Sequence, residues 1–330
     1  MIERSEELND EYPGLDIKKT DVDPKQLAAF TSEEDFNALA VDLLREVASW
    51  VCLAGGVLPM DTKCWTREQA IVGGNLIRLF KLLCGVLDQT CQHRRETMFI
   101  FSRLAFESIV NIRYLIKFAS TELFDSYIRY SLKHERRLRD RIKANIEARG
   151  GEVWPIEHRM LSSIQQTAKK SGVDLDQIST SQPKNWGGKN LYERADAVDL
   201  GYLYLAAFGG ASHSVHGNWM DLLEYHIDDA ESDKVDSFLP YPDWHAPRPQ
   251  PLIMLAKLTV DLLQNFFVFV RNASGSIPES ASLTDLRIRI AVADDAHEHF
   301  LIKQDEVAHE LSKGKQIVEI NVIRPLQFLI

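Results

Sequence analysis

The stretch "TREQAIVGGNLIRLFKLLCGVLDQ", residues 66–89, is apolar nearly all the way round its middle turns. A helix on a protein surface needs only an apolar stripe, so one that is apolar on every side belongs at the centre of a group of helices. The reading is therefore a bundle with this segment inside it. Neighbours for it are visible on both sides. "TSEED" offers Thr31 or Ser32 as a cap, with acidic residues at the positive end of the dipole, and opens a helix over about 32–54 that stops at Gly55, Gly56 and Pro59. A third helix is predicted over about 92–119 and a fourth over about 121–149, with shorter ones over about 155–171, 190–197 and 199–216.

Beyond these, "FLPYPDWHAPRPQP", residues 238–251, carries five prolines and predicts a surface loop, neither helix nor central strand. The most apolar window follows it, "LIMLAKLTVDLLQNFFVFV" at 252–270. Lys257, Asp261, Gln264 and Asn265 interrupt it, which marks a buried helix resuming the bundle and not a membrane span. After "NASGSIPES" the pattern changes. "LRIRIAVA" alternates, "HFLIK" is short and apolar, and "KQIVEINVI" alternates again, which predicts three strands around a short helix at about 304–312. The expected fold is mainly α: a polar arm over 1–31, an antiparallel helical bundle over 32–274, and a small C-terminal α+β appendage over 275–330.

Charge and cysteine usage narrow the functional classes. A formal net charge of −10 argues against a protein that coats nucleic acid non-specifically, since phosphate-backbone affinity comes from concentrated Lys and Arg, but it leaves room for a small RNA site in a locally basic groove. Cys52, Cys64, Cys84 and Cys91 show no C-x-x-C spacing and lie in or beside apolar helices, as buried thiols in a reducing compartment do. "MIERSEELNDEYPG" has no apolar core and reads as neither a signal nor a transit peptide. A cytoplasmic protein without a membrane segment is the expectation.

Several groups of residues carry chemistry. Arg103, Glu107 and Asn111 fall at i, i+4 and i+8 on an otherwise apolar helix, so they form either a solvated face or a paired polar network inside the bundle, in which Arg103 and Glu107 would touch substrate. Residues 133–149 hold seven basic side chains (Lys133, Arg136, Arg137, Arg139, Arg141, Lys143, Arg149) against three acidic ones (Glu135, Asp140, Glu147). This is either a solvated helix laced with ion pairs or a phosphate-facing surface, in which Arg136, Arg137 and His134 would touch substrate. Arg129 and His134 are five apart, about 140° round a straight helix, and could meet one substrate only at a helix end or across a dimer interface.

The stretch "GGASHSVHGNW", 209–219, has better geometry: His213 and His216 lie about 60° apart on the helical wheel, and the small residues before them let a neighbouring helix approach closely. Zinc needs a third protein ligand, and Asp221, Glu224 and His226 nearby follow no ligand pattern. A di-iron bundle needs two E-x-x-H motifs, where only Glu306 to His309 is present. No metal and no cofactor is expected. No G-x-S-x-G elbow, P-loop or G-x-G-x-x-G opens a helix after a strand, which disfavours acyl hydrolases, nucleotide-driven motors and dehydrogenases.

"NWGGKNLYERADAVDLGYLYLAAFGGASHSVHGNW", with "FSRLAFESIVNIRYLI" and "YIRYSLKHERRLRD", resembles a large family of all-helical bacterial proteins of unknown function over roughly residues 65–225. Its most specific element is S-x-x-x-H-G, Ser212 to Gly217. That family is distantly similar to HEPN domains, helical bundles that often dimerise and cut RNA in toxin and phage-defence systems, and in which a helix commonly ends R-N-x-x-x-H-G. The resemblance implies His216 for the His, with Ser212 in place of the Asn and Ala211 in place of the Arg. It also implies metal-free cleavage, with the His moving a proton near a ribose 2′-hydroxyl and an Arg stabilising phosphate charge.

With Ala211 at that position, the Arg must come from Arg129, Arg103 or a partner subunit. Two readings stay open. One is a HEPN-like, metal-independent ribonuclease, a dimeric toxin or defence effector, with His216 as base or acid, His213 in support, Arg129 as clamp and Ser212 in the site. The other is a non-catalytic helical module that binds a protein partner or small ligand, with His213 and His216 hydrogen-bonded inside the bundle and the arm or the appendage as the contact for a protein.

Overall fold

A computed structural model describes residues 17–56, 64–181, 185–231, 234–238, 246–270 and 281–314. Their fold is overwhelmingly helical, as expected. The chain divides into two compact units, one built from residues 1–112 and 202–330 and the other from 113–201.

In the first unit a short helix α1 (Pro24–Leu27) precedes α2 (Glu33–Ala54), and α3 (Arg67–Cys91) and, as far as Ile112, α4 (Arg95–Lys117) follow. Both α2 and α3 begin with reciprocal caps: Ser32 with Asp35, and Thr66 with Gln69. Each satisfies two backbone N–H groups that the first turn leaves unpaired. The chain leaves α3 through His93, whose positive φ of 56° breaks the helical run and separates α3 from α4.

Partners along α3 and α4 fix their direction. Gln89 bonds Thr97, Gly85 faces Phe101 and Arg78 bonds Ser108, so one helix descends as the other rises. The same logic orients α12 (Pro249–Val270) and α13 (Ala281–Gly314). Phe36 and Glu46 of α2 meet His297 and Arg289 of α13; Lys257 and Asp261 of α12 meet Asp294 and Arg287. Both α2 and α12 therefore run against α13 and parallel to each other, and they pack together directly.

The central helix is α12, with Leu252, Leu255, Ala256, Val260, Leu262, Leu263 and Phe266 all out of water. Each such large apolar side chain contributes about 1.5–3 kcal/mol. Helix α3, expected at the centre, buries a single stripe through Val72, Leu76, Leu79, Leu83 and Val86. Both α3 and α12 are long and apolar enough to cross a membrane by length and composition alone, but α12 is mostly covered within its own unit and its charged residues are ion-paired to α13.

The C-terminal appendage is a correction. Residues 286–293 and 299–303, expected as strands, are turns of the one helix α13, and Leu283, Leu286, Ile290, Ala293 and His297 are buried at alternating spacings of three and four. That is helical periodicity, and it prevails over the local alternation of "LRIRIAVA" because it places one whole face against α2 and α12. The third expected strand, 315–323, lies outside the described residues. The described sheet is instead the antiparallel pair β1 (Ile227–Glu231) and β2 (Lys234–Phe238), with Ile227 opposite Phe238. The proline-rich loop ends sooner than expected, since Pro249 and Pro251 sit in the first turn of α12, where no N–H is needed.

The second unit holds α5 (Thr121–Ser131), α6 (Lys133–Ala148), α7 (Pro155–Ser171) and α8 (Leu191–Ala197). The helix expected over 121–149 is two helices, divided at Leu132. Their hub is Trp186, edge-on to Tyr114 at 5.6 Å and to Tyr127 at 5.2 Å, with the Arg194 guanidinium 4.2 Å above its ring. Gly187 takes a left-handed φ of 62° and donates its N–H to Ser126 Oγ, which turns the chain under that ring.

Candidate functional site

The polar stripe of α4 is a seat for another segment. Glu96, Arg103, Glu107 and Asn111 lie within about 80° of one another round the helix. Over them runs the chain from Tyr202 onward: α9 (Gly201–Leu203), a wide π-helical stretch Tyr204–Gly209, α10 (Gly210–His216) and α11 (Trp219–Tyr225). Arg103 and Glu107 both act on the Tyr204 hydroxyl. Burial pushes that hydroxyl above its ordinary range, Arg103 pulls it back and Glu107 adds to the rise. Arg103 Nε donates to Ser212 Oγ at 3.1 Å, and both residues are half-buried. The four residues of the stripe are half-buried, neither a fully solvated face nor wholly inside the bundle.

Ser212 and His216 are one helical turn apart, so the Arg103–Ser212 bond anchors the helix face that ends at His216. Gly217 follows with φ 55°, a left-handed residue that stops α10. Asn218 then caps α11, accepting from Asp221 N–H at 3.2 Å. The H-G-N sequence is thus a corner between two short helices, and it leaves the His216 side chain exposed to solvent at the end of α10. The side chain of His213 lies outside the described set.

At the other end of the seat stands a group that sequence spacing did not reveal. His226 Nε2 lies 3.3 Å from Glu96 Oε1 and 3.6 Å from Asp221 Oδ2. Asp221 is buried, and its Oδ1 has no hydrogen-bond partner among the described residues. Beside it, burial and the nearby Glu224 push the Tyr225 hydroxyl far above its ordinary range, and Arg95 opposes them. Glu96 is 125 positions before Asp221 in the chain, so no local motif could have joined them. The sole clue was that Glu96 continues the Arg103 stripe seven residues earlier.

The other predicted site residues belong to the second unit. Arg129 is exposed in the last turn of α5 and His134 is exposed in the first turn of α6, on separate helices. Arg136 and Arg137, expected to touch substrate, are committed inside the unit: Arg136 to Asp140 and the Leu175 carbonyl, Arg137 to the Thr180 carbonyl. Arg139 joins Asp176 at 2.6 Å and holds that carboxyl below its usual range. Arg149 donates to Glu157 and stacks on Trp154. Arg136, Arg137, Arg139 and Arg149 of the basic run fasten the 175–180 loop and the start of α7, while Arg141 and Lys143 stand exposed on the same helix.

No curated protein and no solved structure matches the chain. A family model does, over residues 69–235, a span that takes in the α4 stripe, the Trp186 turn and the whole Tyr204–His226 segment. The chain belongs to the family of unknown function designated DUF5677.

Proposed function

We propose that the protein is a HEPN-like, metal-independent endoribonuclease of the cytoplasm, acting as a toxin or phage-defence effector. The observation that carries the reading is the Arg103 Nε to Ser212 Oγ bond at 3.1 Å, one turn before the exposed His216. It brings an arginine to the S-x-x-x-H-G helix, where the sequence itself has Ala211. In this reading the His216 imidazole takes the proton of a ribose 2′-hydroxyl, and the 2′-oxygen attacks phosphorus. The bond from phosphorus to the 5′-oxygen breaks, and that oxygen leaves with a proton from water. Arg103, turning from Ser212 to the phosphate, offsets the added negative charge. Arg103 replaces Arg129 as the clamp.

The test is cleavage of total RNA or tRNA in excess chelator. Products ending in 2′,3′-cyclic phosphate are expected, with activity falling about 10²–10⁴-fold in His216→Ala and about 10²-fold or more in Arg103→Ala. Absence of cleavage, or cleavage unchanged in His216→Ala, overturns the proposal.

A second reading, a non-catalytic module that binds a protein or a second copy of itself, is favoured by apolar side chains left in water on the same segment. Tyr202 is 74% exposed and Leu205 77%, with Trp219 and Met220 also exposed. Soluble globular surfaces seldom cluster such residues without a partner. A concentration-dependent mass in sedimentation that Leu205→Glu abolishes would support self-association.

A further inference from the structure

We propose that Glu96, Asp221 and His226 form a binding site for one divalent cation of the zinc class, tying α11 to α4. One ligand atom from each residue lies within 4.8 Å of the other two, and His226 Nε2 is the common neighbour at 3.3 and 3.6 Å. An ion with bonds of about 2.0–2.2 Å to nitrogen and carboxylate oxygen fits between ligand atoms at such spacings. Two carboxylates and an imidazole suit zinc and its transition-metal neighbours, whereas magnesium and calcium favour all-oxygen sets.

The independent observation is Asp221. Its side chain is 2% exposed and its Oδ1 has no hydrogen-bond partner among the described residues. A buried carboxylate with an open oxygen costs free energy that a hydrogen bond or a cation would offset. The nearby arginine does not fill that role: Arg95 Nε is committed to the Ala246 carbonyl at 2.7 Å, and its other bond is to Tyr225. His226, at 44% exposed, leaves a path for the ion to enter and room for water to complete its coordination.

This site needs no part of the RNA-cleavage reading, and its test contains no RNA. Untagged full-length chain is stripped with chelator, dialysed, and titrated with ZnCl₂ by calorimetry, with MgCl₂ as the comparison. One equivalent of zinc should bind, and thermal unfolding should move to higher temperature when it is present. Glu96→Gln and Asp221→Asn should each weaken binding at least about ten-fold.

Asp221→Asn separates binding from folding. Without zinc its melting temperature should equal or exceed that of the wild type, because the buried charge is gone, and the zinc-induced rise should vanish. Co²⁺ should give visible bands typical of nitrogen and oxygen donors, without the near-ultraviolet band that thiolates add. Absence of stoichiometric zinc binding, undiminished binding in both variants, or a thiolate band pointing to the cysteines would each overturn the proposal.

Discussion

His297 shows how a single side chain records its surroundings. It is 2% exposed, packed against Phe36 at 4.9 Å and stacked with Phe300, and burial lowers its pKa below the ordinary 6.5 despite the carboxylates of Glu33 and Asp294. The unfolded chain therefore binds this proton more readily than the folded one. Stability is complete above the unfolded value and is lost as pH falls through the window between about 6.5 and the lower folded value. In His297→Leu, unfolding free energies measured across this window should lose part of their pH slope while staying within a few kcal/mol of wild type at neutral pH. An unchanged slope would mean that the folded ring takes up its proton as readily as the unfolded chain does. At this same scale the sequence was partly legible: Arg103, Ser212 and His216 could be named from it, but Glu96 could not. Its partners lie too far along the chain, and Glu96 alone looks like a first-turn acid favoured by the helix dipole.

Among elements, the turn through Trp186 and Gly187 sets the second unit. A Cβ on Gly187 would meet Leu123 Cδ1 at 3.0 Å, on a backbone with φ 62°. Gly187→Ala should cost about 1–2 kcal/mol from the left-handed backbone alone, with more if Leu123 cannot shift. Urea unfolding followed by tryptophan fluorescence checks it, and a change within about 0.5 kcal/mol of zero would refute it. Helix ends were legible where a cap marks them, as at Ser32, Thr66 and Asn190. What misled was short-range alternation: in "LRIRIAVA" a window of eight fits period two, and only the longer run from Leu283 to His297 shows the three-and-four spacing that burial obeys. The break at Leu132 carries no proline or glycine and was invisible for that reason.

At the scale of the whole molecule, the first unit is closed by a charge pair. Arg289 reaches Glu46 with two bonds at 2.6 and 2.7 Å, and also bonds Asp285 and the Thr20 carbonyl; Thr20 N–H returns to Glu46 at 2.8 Å. Both partners of the pair are buried. Removing one strands the other's charge, so Glu46→Ala should cost about 3–5 kcal/mol, whereas Glu46→Leu combined with Arg289→Met should recover much of the loss. Denaturant titration of Glu46→Leu, Arg289→Met and the double variant decides this. Additive losses would show that the pair is not coupled.

The spacing of that pair along the chain has a consequence for synthesis. Glu46 leaves the ribosome 243 residues before Arg289. The second unit, a continuous stretch from 113 to 201, can fold as soon as it emerges, while helix α2 must wait with its apolar face and its carboxylate unmatched until α13 is made. A stall or truncation between 201 and 289 would therefore release chains with a finished second unit and an open α2, the form that chaperones and proteases in the cell would meet first.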